Sequence, residues 1–147
     1  MEKIITHSAK ETQRFAAKFA RQILRSKPGK SAMVLALSGD LGAGKTTFLQ
    51  GFAKGLGINE VVNSPTFVIL NRFKIYDLRF NNFYHIDCYR LEKPEEILEL
   101  GFSKIISNPE NIVAIEWPEK ISKVLPKKVI KITFEHLEQN RDLTIEL

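Results

Sequence analysis

The chain has 147 residues, 44% hydrophobic and 27% charged, which excludes a disordered polypeptide and predicts one folded domain over residues 1–147. No run of about 18 apolar residues occurs, no secretory signal is visible, and a lone cysteine excludes an internal disulfide, so we expect a cytoplasmic protein. The net charge of +5 favours an acidic partner such as RNA, with a solvated basic surface as the alternative.

An amphipathic helix is predicted near the start of the chain. Ser8 and Glu11 have the spacing of a capping box, and apolar residues then recur every three or four positions up to Leu24. Pro28 would end this helix. We expect the helix to cover a sheet. A second hypothesis places its first residues, Thr6 to Thr12, beside a nucleotide base, and spacing alone does not decide between the two.

The stretch LALSGDLGAGKTT, from Leu35 to Thr47, contains the pattern G-x-x-x-x-G-K-[ST] of a phosphate-binding P-loop. Such a loop aims backbone N–H groups at a polyphosphate, and its glycines allow the backbone angles and close approach that this requires. Lys45 is predicted to neutralise the outer phosphates. Thr46 is predicted to offer its hydroxyl to Mg²⁺, which prefers hard oxygen ligands.

The sequence on both sides agrees with a P-loop, which needs a strand before it and a helix after it. The apolar run Met33 to Leu37 is typical of a parallel strand buried on both faces. Apolar residues after Lys45 recur at helical spacing, and Gly57 stands where a helix usually stops. The alternative is a chance glycine-rich turn, which the full motif and its context together disfavour.

Hydroxyl-bearing residues follow at Ser64 and Thr66, on either side of Pro65, which favours an extended backbone at the preceding residue. Hydroxyls at such a turn could sense a terminal phosphate and its metal, as switch segments do in other nucleotide hydrolases. An ordinary hydroxyl-capped turn is the alternative. The stretch from Asn71 to Asn82 is predicted to form a strand and a hairpin-like connection.

Two strand-like runs end in a carboxylate and compete for the acidic strand end that P-loop proteins place near magnesium. Phe83 to Asp87 is the first run, and Ile112 to Glu116, wholly aliphatic before its acid, is the cleaner buried strand. His85 in the first run orients a water molecule, pairs with Asp87 or serves the structure. Trp117, directly after the second acid, walls a pocket, docks a partner or lies at the edge of the core.

The remaining segments complete the predicted sheet and its helices. Pro94 to Leu100 is predicted to be a covering helix with acids in its first turn. Ile130 to Glu135 and Leu143 to Leu147 alternate in polarity on either side of a polar turn, which predicts two closing antiparallel strands. The fold class is therefore α/β, of the P-loop NTPase type: a central, mostly parallel sheet with antiparallel edge strands, flanked by helices.

Four motifs, in their order along the chain, resemble the TsaE (YjeE) family of P-loop ATPases of bacterial tRNA threonylcarbamoyladenosine synthesis. They are GDLGAGKTT at 39–47, SPTF at 64–67, HIDCYRL at 85–91 and IEWPE at 115–119. Many families share the P-loop, whereas SPTF, H-x-D-x-Y-R and E-W-P in this order are specific. The resemblance implies a magnesium-dependent ATPase that drives or resets the complex of the TsaD and TsaB proteins. These partners transfer a threonylcarbamoyl group to an adenosine beside the anticodon, so contact with tRNA, direct or indirect, is also implied.

The resemblance further implies roles for individual residues. Thr46 and Glu116 would hold Mg²⁺. Lys45 would stabilise charge on the phosphates, Thr66 would act in the switch-like loop, and Asp87 or His85 would orient the attacking water. Contacts with ATP or ADP are expected from Leu41, Gly42, Ala43, Gly44, Lys45, Thr46, Thr47 and Trp117, and, on a looser alignment, from Ser8, Ala9 and Arg141.

Two functions from other classes stay open. A small-molecule P-loop kinase would share the loop, but it needs an acceptor pocket and usually an arginine-bearing lid, and no such segment stands out. A binding module that responds to ATP without hydrolysing it is the other. A GTPase is disfavoured, because neither N-K-x-D nor D-x-x-G occurs in the sequence.

Overall fold

A computed structural model describes residues 2–40, 42, 44–60, 62, 69–136 and 143–147. These residues form strands β1 Lys3–Thr6, β2 Met33–Ser38, β3 Leu70–Lys74, β4 Asn82–Asp87, β5 Asn111–Glu116, β6 Ile130–His136 and β7 Leu143–Glu146. They also form helices α1 Ala9–Arg25, α2 Lys45–Gly55 and α3 Phe102–Ser107, and 3₁₀ helices at Pro94–Leu100 and Pro118–Ile121. Within this part of the chain, no helix is long and apolar enough to cross a bilayer.

The strands form one mixed sheet in the order β1-β7-β6-β2-β5-β4-β3. The four central strands β6, β2, β5 and β4 are parallel to their neighbours. At the two edges, β3 pairs antiparallel with β4, while β7 pairs antiparallel with both β6 and β1. The prediction of a parallel centre with antiparallel edges is confirmed, as are the β3–β4 hairpin and the two closing strands. The polar turn expected between those closing strands lies outside the described residues.

Strand β1 was not predicted from the sequence. It has only four residues and buries a single side chain, Thr6, so its pattern is too short to show a period of two. The strand forms because it pairs with β7, from the other end of the chain, and no local pattern indicates that pairing. β1 is an edge strand, and it places the start of α1 beside the last strand of the chain, β7.

Helix α1 begins as the capping box predicts. The Ser8 hydroxyl accepts a hydrogen bond from the Glu11 amide at 3.1 Å, and the Glu11 carboxylate accepts one from the His7 amide at 2.6 Å. The helix ends at Arg25, ahead of Pro28. Its buried face consists of Thr12, Ala16, Ala20 and Ile23.

Two glycines of α2 allow it to lie directly against α1. A Cβ atom at Gly51 would come within 2.3 Å of the Gln13 carbonyl oxygen, and one at Gly55 within 2.4 Å of the Ala17 carbonyl oxygen. Because residue 13 meets residue 51 and residue 17 meets residue 55, the two helices run in the same direction. The first turn of α1 therefore lies level with the start of α2, which follows the P-loop.

The two faces of the sheet carry separate hydrophobic clusters. Side chains of α1 and α2 pack with Leu35 and Ile112 on one face. On the other face, α3 and both 3₁₀ helices pack with Val34 and Val113. The segment Pro94–Leu100 covers the sheet as predicted, but it is a 3₁₀ helix and not an α-helix. It buries only Ile97, so it does not need the α-helical period that would align several apolar side chains on one face.

Candidate functional site

The candidate site lies at the carboxyl ends of the central parallel strands. Glu116 at the end of β5 is in register with Leu37 of β2 on one side and with Asp87 of β4 on the other. The two acids treated as competitors in the sequence are therefore neighbours. His85 and Asp87 share strand parity with Phe83, which belongs to the cluster under α2, so both face the helix that follows the P-loop.

The P-loop passes from β2 to α2 through glycines with positive φ angles. Gly44 has a φ of 90° and caps α2 without any side-chain hydrogen bond. The positive φ favours glycine there, and a Cβ atom would lie 2.7 Å from Leu143 Cδ2 in β7, so the end of that flexible side chain would have to shift. Gly44 therefore offers no capping side chain at the start of α2, the end of the helix where the dipole favours an anion.

Lys45 is the first residue of α2, and its side chain is buried, with 5% of its surface exposed. Its ammonium donates a hydrogen bond to the Gly39 carbonyl oxygen and lies 4.0 Å from the centroid of the Trp117 ring, within cation–π range. Burial lowers the pKa of Lys45 below its ordinary value, while the charges of Glu116, Glu119 and Asp87 oppose that shift. A desolvated ammonium beside carboxylates is suited to receive phosphate oxygens.

The Trp117 ring packs against the Lys45 ammonium. Trp117 has a φ of 57°, the one positive value found for a non-glycine residue within the described ranges. The left-handed backbone turns the chain directly after Glu116, and the Trp117 ring then lies against the Tyr89 ring, with 5.1 Å between centroids. An uncommon backbone conformation of this kind persists when its surroundings enforce it, and such residues cluster at functional sites.

His85 and Glu116 form a buried pair behind the site. His85 Nε2 lies 2.6 Å from Glu116 Oε2, and the two side chains are 1% and 4% exposed. With a carboxylate as acceptor, Nε2 is the nitrogen that donates. Nδ1 of the same ring is buried and has no hydrogen-bond partner in the part of the chain that the structure describes. The imidazole therefore restrains one oxygen of the Glu116 carboxylate, so His85 makes its hydrogen bond with Glu116 and not with Asp87.

Asp87 stands beside this pair, closer to solvent. Burial raises the pKa of Asp87 above its ordinary value, a hydrogen bond from the Tyr89 amide at 3.0 Å opposes the shift, and the charge of Glu116 adds to it. Burial also raises the pKa of the adjacent Cys88 thiol to about 12, so that thiol stays protonated near neutral pH. Two neighbouring carboxylates at a buried strand end are a region of unfavourable negative charge, which a cation would relieve.

The side chains at this edge suit Mg²⁺, which keeps water and phosphate ligands, better than a metal ion whose ligands all come from the protein. Thr46, Glu116 and Asp87 offer hydroxyl and carboxylate oxygens, the ligands that Mg²⁺ prefers. Over the described ranges, no group of three or more His, Cys, Asp or Glu side chains is arranged to hold a metal ion. Magnesium sites of nucleotide enzymes match this arrangement, because substrate phosphates and water complete their coordination.

Among the other predicted site residues, Ser8, Ala9 and Gly42 are described and lie towards the β6–β1 half of the sheet, away from Glu116 of β5. Ser8 and Ala9 begin α1, level with Thr47, and the Ser8 hydroxyl is engaged with the Glu11 amide. Gly42 lies near the end of β6, where its carbonyl oxygen contacts His136 Nε2. Leu41, Ala43, Thr66 and Arg141 lie outside the described residues.

His136 is a contact that the sequence analysis missed. It ends β6, is in register with Leu143 of β7, and reaches the P-loop carbonyl of Gly42. The two residues are 94 positions apart, and a lone exposed histidine at a strand end gives no local signal. Only the pairing of β6 beside β2 brings it to the loop.

Comparisons with known proteins bear on this arrangement. The model of the family "Threonylcarbamoyl adenosine biosynthesis protein TsaE" matches residues 6–143. The chain is 40% identical to the tRNA threonylcarbamoyladenosine biosynthesis protein TsaE of Rickettsia typhi, over 93% of this chain and 88% of that protein. It is 41% identical to the protein of the same name from Bacillus subtilis, over 81% of this chain and 70% of that one.

A solved structure is also similar. The crystal structure of YdiB from Bacillus subtilis superposes with a TM-score of 0.71 at 30% identity, covering 98% of this chain and 83% of that one. The similarity extends over both the P-loop and the two acidic strand ends, since the family match runs almost from end to end. These findings confirm the resemblance that the four sequence motifs indicated: the chain belongs to the TsaE family.

Proposed function

We propose that this chain is a magnesium-dependent ATPase of tRNA threonylcarbamoyladenosine biosynthesis, with a P-loop NTPase fold, whose hydrolysis of ATP drives or resets a complex of the TsaD and TsaB proteins. Family membership supports the role in this biosynthesis. One observation carries the activity: Lys45 is buried at the start of α2 and faces the carboxylates at the adjoining ends of β5 and β4.

Binding of the phosphate chain would use the start of α2. The N–H groups of its first turn would donate to phosphate oxygens, as helix N-termini do for anions, and the N-cap Gly44 has no side chain in the way. Lys45 would exchange its contacts with Gly39 and Trp117 for the outer phosphates, since these groups compensate its charge less well than phosphate does. Thr46 and Glu116 would hold the metal ion, with His85 fixing the orientation of the Glu116 carboxylate.

Hydrolysis would depend mainly on positioning and charge. Asp87 is the carboxylate beside Glu116 that is less buried, so it is placed to accept a hydrogen bond from the attacking water. Lys45 would stabilise the charge that develops on the outer phosphate oxygens. Magnesium, when bound, supplies further charge neutralisation on the phosphates. We expect slow turnover by the protein alone, because a switch of this kind needs its partners to complete the site.

The test is phosphate release from ATP in the presence of Mg²⁺. The wild type, Lys45→Ala and a control, Lys54→Ala, are compared alone, with TsaD and TsaB, and with tRNA added. Lys54 is a matched control because it lies on the same helix and is exposed. We expect a loss of about 10²- to 10³-fold in Lys45→Ala and an unchanged rate in Lys54→Ala.

The same assay separates the rival functions. Equal rates in Lys45→Ala and Lys54→Ala would contradict the assignment of the site. Binding of ATP without phosphate release, even in the full mixture, would instead identify a nucleotide-responsive binding module. Transfer of phosphate to a metabolite in place of water would identify a small-molecule kinase.

A further inference from the structure

The outer surface of α1 carries a row of basic side chains that the proposed ATPase site does not use. From position 10 to position 25, cations recur every three or four residues, which places them on one side of a helix along about 22 Å. All of them are exposed, and the only other exposed side chain in this span is the neutral Gln22. We call this surface the basic face of α1; it consists of Lys10, Arg14, Lys18, Arg21 and Arg25.

The charges of this face are not compensated locally. Glu11 is the single acid in α1, and its carboxylate is occupied by the His7 amide. Within the described part of the chain, none of the five cations has an ion-pair partner. Arg79 extends the row at its far end, because its guanidinium donates to the carbonyl oxygens of Arg25 and Ser26 at 3.1 and 3.0 Å. The face is therefore a continuous positive surface.

The two sides of the sheet differ strongly in charge. Residues 1–30, which include α1, contain eight Lys or Arg residues and two Glu. Residues 87–129, which include β5 and cover the opposite face of the sheet with α3 and the 3₁₀ helices, contain eight Asp or Glu and seven Lys or Arg. A polyanion approaching the molecule would be attracted to α1 and not to the nearly neutral opposite layer, so the charge distribution orients the encounter.

The composition of the face indicates the kind of partner. Stable protein–protein interfaces have an apolar centre with aromatic residues, whereas no apolar side chain from position 10 to position 25 is classed as exposed. A line of Lys and Arg without such a centre matches a phosphate backbone, which is recognised through charge and independently of sequence. We propose that the basic face of α1 binds the phosphate backbone of RNA. That this RNA is tRNA rests on the proposed function.

The experiment measures binding of a fluorescently labelled, unmodified tRNA transcript by anisotropy, at salt concentrations from about 50 to about 200 mM. A face variant, Arg14→Gln/Lys18→Gln/Arg21→Gln, is compared with a control, Lys123→Gln/Lys127→Gln/Lys128→Gln. The control removes the same number of charges from exposed positions elsewhere. Glutamine keeps helix propensity close to that of lysine and arginine, and circular dichroism verifies the fold of each variant.

We expect the wild type and the control to bind tRNA, with affinity falling as salt rises. The face variant should bind about tenfold or more weakly at low salt, and its dependence of log K on log salt should be shallower by about two to three. An equal loss in the control would overturn the proposal, because net charge alone would then account for binding. Absence of wild-type binding at low salt would overturn it too.

Two further outcomes separate this proposal from the others. If the face variant binds tRNA normally but no longer associates with TsaD and TsaB, the face docks a protein and the RNA proposal fails. ATP hydrolysis is measured on the same samples, and we expect it to be unchanged in the face variant without partners. Loss of tRNA binding in the face variant alone supports the RNA proposal even if no variant, nor the wild type, hydrolyses ATP; in that case only the proposed ATPase function fails.

Discussion

Two regions rich in ionisable side chains differ in how far those side chains are buried and paired. At the carboxyl edge of the sheet, the ionisable side chains are mostly buried and lie close to one another: Lys45, His85, Asp87 and Glu116. On the basic face of α1, the charges are exposed and have no partner in the described part of the chain. Burying a charged side chain is unfavourable unless its partners lie at the right distance and orientation, whereas exposed charges are screened by salt. The first region is therefore expected to respond to small changes of shape, and the second to ionic strength.

After Lys45→Ala, the largest effect should come from separating the buried pair behind the site. Replacing His85 by Phe removes the donor that restrains Glu116 Oε2, and loss of such an outer contact typically costs 10- to 100-fold in metal affinity or activity. We expect the Mg²⁺ concentration that gives half-maximal ATP hydrolysis to rise by about that factor.

A conservative variant sharpens this result. His85→Gln retains an N–H donor near the position of Nε2 and should restore part of the magnesium dependence. A purely structural role for His85 predicts a different outcome: the thermal stability of His85→Phe would fall while the magnesium titration curve kept its midpoint.

Helix α1 carries the basic face and α2 begins at Lys45, so the contact between these helices joins the two regions. A larger side chain within that contact should destabilise the fold. A methyl group at Gly51 would meet the Gln13 backbone at 2.3 Å, where no flexible side chain can move aside. We expect Gly51→Ala to lower the free energy of unfolding by about 1–3 kcal/mol in urea denaturation. Gly29→Ala is the matched control, because nothing lies within 4 Å of its added methyl group. Similar midpoints for both variants would contradict the close packing of the helices.

A smaller effect should appear in the pH dependence of stability. Because the pKa of Asp87 is raised in the folded chain, its ionised form is less stable there than in the unfolded chain. The favourable contribution of the protonated form is present below about pH 4 and is lost as the pH rises through the raised pKa. Asp87→Asn should therefore have a higher melting temperature than the wild type at pH 7, with a gain that shrinks towards about pH 4.

The control for that measurement is Glu99→Gln, which removes a carboxylate from an exposed position. Its melting temperature should follow that of the wild type at both pH values. A gain in Asp87→Asn that is equal at both pH values would show that the carboxyl group is not destabilised by its burial.

The sequence predicted those parts of the site that local chemistry determines. The P-loop spacing, the Ser8 cap and the acids that end two strands are short-range patterns, and they located α1, α2, β4 and β5. Trp117 under Lys45 and His136 against Gly42 depend on tertiary contacts, which no local period encodes. The basic face of α1 was not predicted, because its five cations are spread over 16 residues and form no compact cluster in the sequence. Exposure of all five side chains became evident only once the buried face of the helix was known.

The most direct test of the ATP site uses Trp117, the single tryptophan of the chain, whose ring lies 4.0 Å from the Lys45 ammonium. Titration with ATP and Mg²⁺, followed by tryptophan fluorescence, reports departure of the ammonium from the ring. We predict a saturable change in emission for the wild type and for Lys54→Ala, and none over the same range for Lys45→Ala. Constant emission in the wild type, or an identical change in Lys45→Ala, would contradict a nucleotide site built around Lys45.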